Sequence, residues 1–120
     1  MLEKIQCVRS ERRVGVHVLD CRRVCGTPFQ EMLNEYCWGT VWGREELPRK
    51  IRSMLNIAML GVLNRPHELK LHVAGALRNG VSPEEIREVL LQVGIYAGVP
   101  AAIDGFRTAR EVIDAASKQA

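Results

Sequence analysis

The stretch from Pro48 to Gly80, PRKIRSMLNIAMLGVLNRPHELKLHVAGALRNG, constrains the fold more than any other part of the chain. Helical apolar spacing runs on both sides of Leu63-Asn64-Arg65, so the stretch reads as two helices joined by a tight corner. Residues Met54 to Leu63 are apolar nearly all round, the pattern of a central buried helix, with Gly61 late in it to permit close packing. Pro48 opens this first helix, and Asn64 is placed to cap the second, with Pro66 tolerated in its first turn. In the second helix Leu69, Val73, Ala76 and Leu77 form a core stripe, and Asn79-Gly80 ends it with glycine as the left-handed residue. Glu68 and His72 stand one turn apart on a neighbouring face, a carboxylate and an imidazole beside a buried helix and the only constellation in the chain that looks like chemistry.

The flanking segments carry the same punctuation. Thr27-Pro28-Phe29-Gln30 is a helix start, with Thr as N-cap, Pro in the first position and Gln reaching back from the third. Phe29, Met32, Leu33 and Tyr36 are its expected core face, and it carries Glu35, Trp38 and Trp42 toward an end loosened by Gly39 and Gly43. Ser82-Pro83-Glu84-Glu85 is a full capping box, followed by the stripe Ile86, Val89, Leu90 and Val93, with Glu88, Gln92 and Tyr96 on another face. Gly98 and Pro100 stop that helix, and a last one from about Pro100 to Ala116 is expected to bury Ile103, Phe106, Val112 and Ile113. Residues 1–26 are the least legible: Val14, Val16 and Val18 alternate as a strand would, while Val14, Val18, Cys21 and Cys25 fit a helical stripe. Helix is favoured because no partner strand follows. The expected architecture is therefore all-α, a compact helical bundle of about five to six helices.

With 120 residues the chain forms one domain, residues 1–26 being a divergent segment and 27–116 the helical core. At 47% hydrophobic and 26% charged it has a globular composition and not a disordered one. The formal charge of +3 is spread among acidic residues, so no nucleic-acid partner is implied, and the basic cluster Arg9, Arg12, Arg13, Arg22 and Arg23 reads as a solvated face. No apolar run is long enough to cross a bilayer, and Met1-Leu2-Glu3-Lys4-Ile5 lacks the apolar core of a leader, so the expectation is no membrane and a cytoplasmic protein. Cys7, Cys21, Cys25 and Cys37 should then be reduced, and their spacing, with only His17, His67 and His72 to supplement them, matches no zinc pattern. The apolar positions exceed what a lone bundle of this length covers, which points to a homo-oligomer.

Several motifs together resemble the 4-carboxymuconolactone decarboxylase family. They are Leu33-Asn34-Glu35-Tyr36-Cys37-Trp38-Gly39-Thr40-Val41-Trp42, the Arg-x-x-Arg-Ser run ending at Ser53, Arg65-Pro66-x-Glu68-Leu69-x-x-His72, Asn79-Gly80-Val81, and Ile95 to Ala102. The likeness covers about Thr27 to Val112. It implies the all-α fold shared with alkylhydroperoxidase D, assembled as trimers or as hexamers built from them. Peroxide-reducing relatives carry Cys-x-x-Cys ahead of the histidine; here Arg65 and Glu68 hold the cysteine positions and His72 keeps the histidine, so thiol relay chemistry is not expected.

The reaction the resemblance implies is loss of CO2 from 4-carboxymuconolactone, or a related lactone acid, giving 3-oxoadipate enol-lactone in the β-ketoadipate route of aromatic catabolism. It needs no cofactor, because the electrons left behind delocalise through a double bond onto the lactone carbonyl. The enzyme must hold carboxylates, donate to the developing oxygen and protonate carbon. On this reading His72 is the general acid, with Glu68 orienting it or sharing the proton. Arg44, Arg49, Arg52 and Arg65 are candidates for the carboxylate clamp, of which one or two should touch substrate. Trp38, Trp42 and Glu35 would belong to the pocket, and Gln92 and Tyr96 would donate hydrogen bonds. Without the resemblance, the Glu68/His72 pair is more often a surface pair, the tryptophans core residues, and the arginines partners of Glu45, Glu46 or Glu84. Two alternatives stay open. One is a thiol-dependent, alkylhydroperoxidase-like antioxidant protein using Cys21, Cys25 or Cys37. The other is a non-catalytic paralogue, suggested by Gln92 where decarboxylases often carry His.

Overall fold

A computed structural model describes residues 28–119 of the chain, and within them every regular element is a helix. The expectations for residues 1–26, for Thr27 and for Cys7, Cys21 and Cys25 lie outside the described residues. Backbone packing divides the chain into two units, one ending at Glu46 and the other beginning at Leu47.

In the first unit residues 28–41 form helix α1. Over Leu33–Val41 it winds as a π-helix, and the wider turn closes when the Trp42 N–H donates to the Cys37 carbonyl at 2.9 Å. The expected core stripe fails here. Phe29, Met32 and Tyr36 are exposed and Leu33–Val41 contains no buried residue; over the π segment a stripe drawn at 3.6-residue spacing does not stay on one line. Gln30 is the buried residue instead, and its amide reaches forward to Asn34 Oδ1 at 3.2 Å rather than back to a cap.

The second unit holds α2 (Arg49–Val62), α3 (Pro66–Arg78), α4 (Pro83–Ala97) and α5 (Val99–Gln119). Packing runs in a ring: α2 against α3, α3 against α5, α5 against α4, α4 against α2, which leaves α3 and α4 across the diagonal. Ile57 of α2, Leu69, Val73 and Ala76 of α3, Ile86 and Leu90 of α4, and Ala109 of α5 make the core. The predicted punctuation holds where it is local. The Ser82 side chain accepts from Glu85 N–H at 3.2 Å while Glu85 Oε2 accepts from Ser82 N–H at 2.8 Å, so the capping box is complete. Gly80, at φ +83°, supplies the left-handed residue after α3.

Two readings of this unit change. Asn64 does not cap α3: it sits at φ +53° as the left-handed residue that ends α2, a conformation asparagine tolerates better than most, and Arg65 takes the N-cap position without a side-chain bond. The α2 helix is not buried all round either. It buries Ser53, Ile57 and Gly61, while Leu55, Met59 and Val62 are about half exposed, at 49%, 53% and 53%. An apolar run says that a face avoids water, not which molecule covers it. Ile103, expected in the core of α5, is also exposed, at 51%.

Candidate active site

The α2–α3 pair is the part of the fold that gathers chemistry. The two helices run back alongside each other after the corner, and two side-chain contacts bridge them. Asn79 Nδ2 donates to the buried Ser53 Oγ at 2.9 Å, and Asn56 Nδ2 lies 3.4 Å from His72 Nδ1. On α3, Leu69, Val73 and Ala76 face the core, which turns Glu68 and His72 toward α2, while Lys70 turns the other way and pairs with Glu111 of α5 at 2.5 Å. On α2, Arg49, Arg52 and Asn56 recur at three- and four-residue spacing and share one flank. Along the seam the order is therefore arginines, then the Asn56–His72 contact, then Glu68 toward the corner.

His72 is half-buried and Glu68 is exposed. Burial pushes the imidazole below its ordinary value of 6.5, and the Glu68 carboxylate one turn away pulls it back up. The neutral ring is thus favoured by its surroundings, and the Glu68 carboxylate keeps the shift smaller than burial alone would make it.

The other sequence candidates are placed as follows. Arg49 is exposed at the start of α2, and Arg52, half-buried, donates through Nε to the Leu47 carbonyl at 3.2 Å. Arg65 is exposed at the corner, beside a cavity of about 10 Å³ that Asn64, Asp104 and Thr108 also line. That volume admits one water and no lactone. Arg44 belongs to the first unit and pairs with Glu46 at 3.2 Å, the surface ion pair weighed against its functional reading. Glu35, Trp38 and Trp42 also lie in the first unit; the indole rings are 5.7 Å apart and tilted by 48°, and the Glu35 carbonyl accepts from Thr40 Oγ1 at 3.0 Å. Gln92 and Tyr96 are exposed on α4, across the diagonal from α3. The structure thus sets His72 against Asn56 with Glu68 one turn away, places Arg49 and Arg52 on the Asn56 flank of α2, and leaves Gln92 and Tyr96 on α4 apart from them.

Asn56 is the polar neighbour that sequence reasoning passed over. The signal was present: one amide inside the apolar run Met54 to Leu63. Among the described residues no three His, Cys, Asp or Glu side chains are gathered to hold a metal, and no helix there is long and apolar enough to cross a membrane. Cys37 is half-buried, and burial raises its thiol above the ordinary value, opposite to what a reactive thiolate requires.

The same stretch of chain is matched by known proteins. The model of the carboxymuconolactone decarboxylase family matches residues 27–111. A 4-carboxymuconolactone decarboxylase of Acinetobacter baylyi is 40% identical over 84 residues, covering 70% of this chain and 63% of that protein. A nitrosuccinic acid decarboxylase of Metarhizium robertsii is 40% identical over 87 residues, covering 72% of this chain and 61% of that protein. An uncharacterised 15.0 kDa protein of Paracoccus denitrificans is 32% identical over 81 residues, covering 65% of this chain and 60% of its own length. The chain thus spans about three fifths of the length of the relatives it matches. With the match running through the whole α2–α3 seam and on into α5, the chain belongs to the carboxymuconolactone decarboxylase family.

Proposed function

We propose that the protein is a carboxy-lyase that removes CO2, without a cofactor, from 4-carboxymuconolactone or a related lactone acid, giving 3-oxoadipate enol-lactone in cytoplasmic aromatic catabolism. The observation that carries this reading is the half-buried His72 facing Asn56, with Glu68 one turn away, inside the region shared with two relatives named as decarboxylases. The chemistry those two names imply is common to both. In the lactone the bond to the departing carboxylate breaks and its electrons pass through a double bond to the lactone carbonyl oxygen. In nitrosuccinic acid the nitro oxygens can take them. Either way the electron sink is in the substrate, and the protein supplies an anchor for the remaining acid group, a hydrogen bond to the oxygen gaining charge, and a proton for carbon.

The seam offers these in order. Arg49 and Arg52 lie on the flank that would anchor a carboxylate, and His72 and Glu68 provide the donor and the proton. A bound dianion next to His72 would raise its basicity further, offsetting burial. The seam is open on one side, and Leu55, Met59 and Val62 of α2 leave apolar surface beside it. A second copy of the chain, in a trimer or hexamer, would cover that surface and close the pocket, and Trp38, Trp42, Gln92 and Tyr96 could be contributed from a neighbouring subunit.

The direct test supplies the lactone and follows CO2. Turnover is expected, with His72→Gln reducing it about a hundredfold or more at unchanged helix content, the usual scale for general acid catalysis. A folded protein with no turnover would remove the substrate assignment.

A further inference from the structure

The contact between Asn56 and His72 does more than fill the seam. Nδ1 of the ring faces the Asn56 side-chain nitrogen at 3.4 Å, and that nitrogen can only donate. With the amide oriented this way the ring nitrogen accepts, and a neutral imidazole then carries its hydrogen on Nε2, the edge turned away from Asn56. We propose that Asn56 is a positioning residue that fixes the His72 ring plane and its Nε2–H tautomer, so that the neutral imidazole presents an N–H to the substrate oxygen that gains charge. This deepens the decarboxylase reading and rests on it for the identity of the substrate, though not for the tautomer.

The surroundings support the assignment. From its own helix the ring faces Glu68, and from α2 the charged positions on the Asn56 flank are Arg49 and Arg52. From α5, the other helix packed on α3, Glu111 goes to Lys70 on the opposite flank. No carboxylate among the described residues accepts a hydrogen bond from Nδ1, the partner that would hold the proton on that nitrogen. Burial of the ring acts in the same direction as the amide, disfavouring the doubly protonated form. A histidine in this state works as an electrophilic hydrogen-bond donor, available across a wide pH range.

The test is nitrogen-15 NMR of protein labelled at histidine, with His72→Gln used to separate its signals from those of His17 and His67. Above neutral pH the parent should show His72 with an unprotonated Nδ1 and a protonated Nε2. Asn56→Ala should release the ring, shifting the tautomer ratio toward Nδ1–H by about five- to tenfold, the scale of one hydrogen bond. Asn56→Asp, of the same shape, offers an acceptor and should reverse the tautomer and move the ring's titration to higher pH. In turnover, Asn56→Ala should lower kcat more than it raises KM, because the oxygen being served is charged only in the transition state. A parent spectrum showing Nδ1–H, or an Asn56→Ala spectrum identical to the parent, overturns the proposal. The parent spectrum decides the tautomer even if a variant fails to fold. If the tautomer is as stated and no lactone is turned over, the lactone assignment falls and the hold of Asn56 on the ring stands. Turnover with the opposite tautomer would instead keep the decarboxylase and end the role of Asn56.

Discussion

Replacing Gly105 by alanine tests the packing of α5 against α4. A Cβ at that position would lie 2.8 Å from Cδ2 of Leu90, closer than carbon atoms approach each other. Leu90 is fully buried at 0% exposure, and the same methyl is already 3.9 Å from the place a Cβ would take at Gly61 of α2. It is held between two helices and cannot simply swing aside. Overpacking of this kind costs about 1–3 kcal/mol, against which alanine in a helix returns about 1 kcal/mol relative to glycine. The net expectation is destabilisation of about 1 kcal/mol, roughly a 4 °C drop in Tm for a chain of this length. Gly75 is the control. Its Cβ would meet only Arg78 Nη2, at 3.9 Å, so Gly75→Ala should stabilise by up to about 1 kcal/mol. Urea unfolding followed by circular dichroism should separate the two variants by about 1–3 kcal/mol. In a Leu90→Ala background, itself costing about 2–5 kcal/mol, Gly105→Ala should turn neutral or stabilising, since the clash is gone. A Gly105→Ala protein as stable as Gly75→Ala would refute the packing argument.

Other expectations concern titration and local structure. Glu68 is the charge that raises the His72 pKa, so Glu68→Gln should lower it further and move the His72 step of a turnover–pH profile to lower pH; an unchanged profile would uncouple the two side chains. Because the folded-state value of His72 lies below 6.5, the unfolded chain binds its proton more readily, and stability should be complete above about pH 6.5 and decline as pH falls through that value. Unfolding midpoints of His72→Gln should lack this decline, while both proteins lose stability below about pH 4.5 as the depressed carboxyls of Glu84 and Glu85 are protonated. Ser82→Ala should cost about 1 kcal/mol by removing one half of the capping box, measurable as a shift in urea midpoint. Replacing all four cysteines by serine should leave CO2 release from the lactone intact, and loss of turnover in a folded variant would favour thiol chemistry.

What the sequence disclosed was mostly local. The capping box at Ser82 and the reversals at Gly80 and Gly98 follow from the φ/ψ limits of a few neighbouring residues, so they could be placed without knowing the fold. The Glu68/His72 pairing was legible for the same reason, since helical spacing puts the two on one flank whatever the helix packs against. Properties that depend on distant neighbours were not legible. The π winding of Leu33–Val41 has no marker in residue type, and Asn64 was misread because one residue serves equally well as an N-cap or as a left-handed terminator. The apolar run through α2 hid the division between Ile57, facing the bundle, and Leu55 and Met59, facing outward. Asn56 was overlooked because its partner lies sixteen residues on, and only the antiparallel pairing of α2 and α3 makes them neighbours.

The junction between α4 and α5 consists of Gly98 alone, at φ +100° and ψ 152°, a backbone state closed to residues with a side chain. Such a joint has no slack. Ile95 and Tyr96 on one side, each 83% exposed, and Val99 on the other, 64% exposed, are consequently displayed around one bend whose angle is cast by a single residue. Three large apolar side chains thus share one corner of the fold whose course a single pair of backbone angles decides. Giving Gly98 a methyl group would strain that backbone state and shift the three side chains relative to one another without altering any of them.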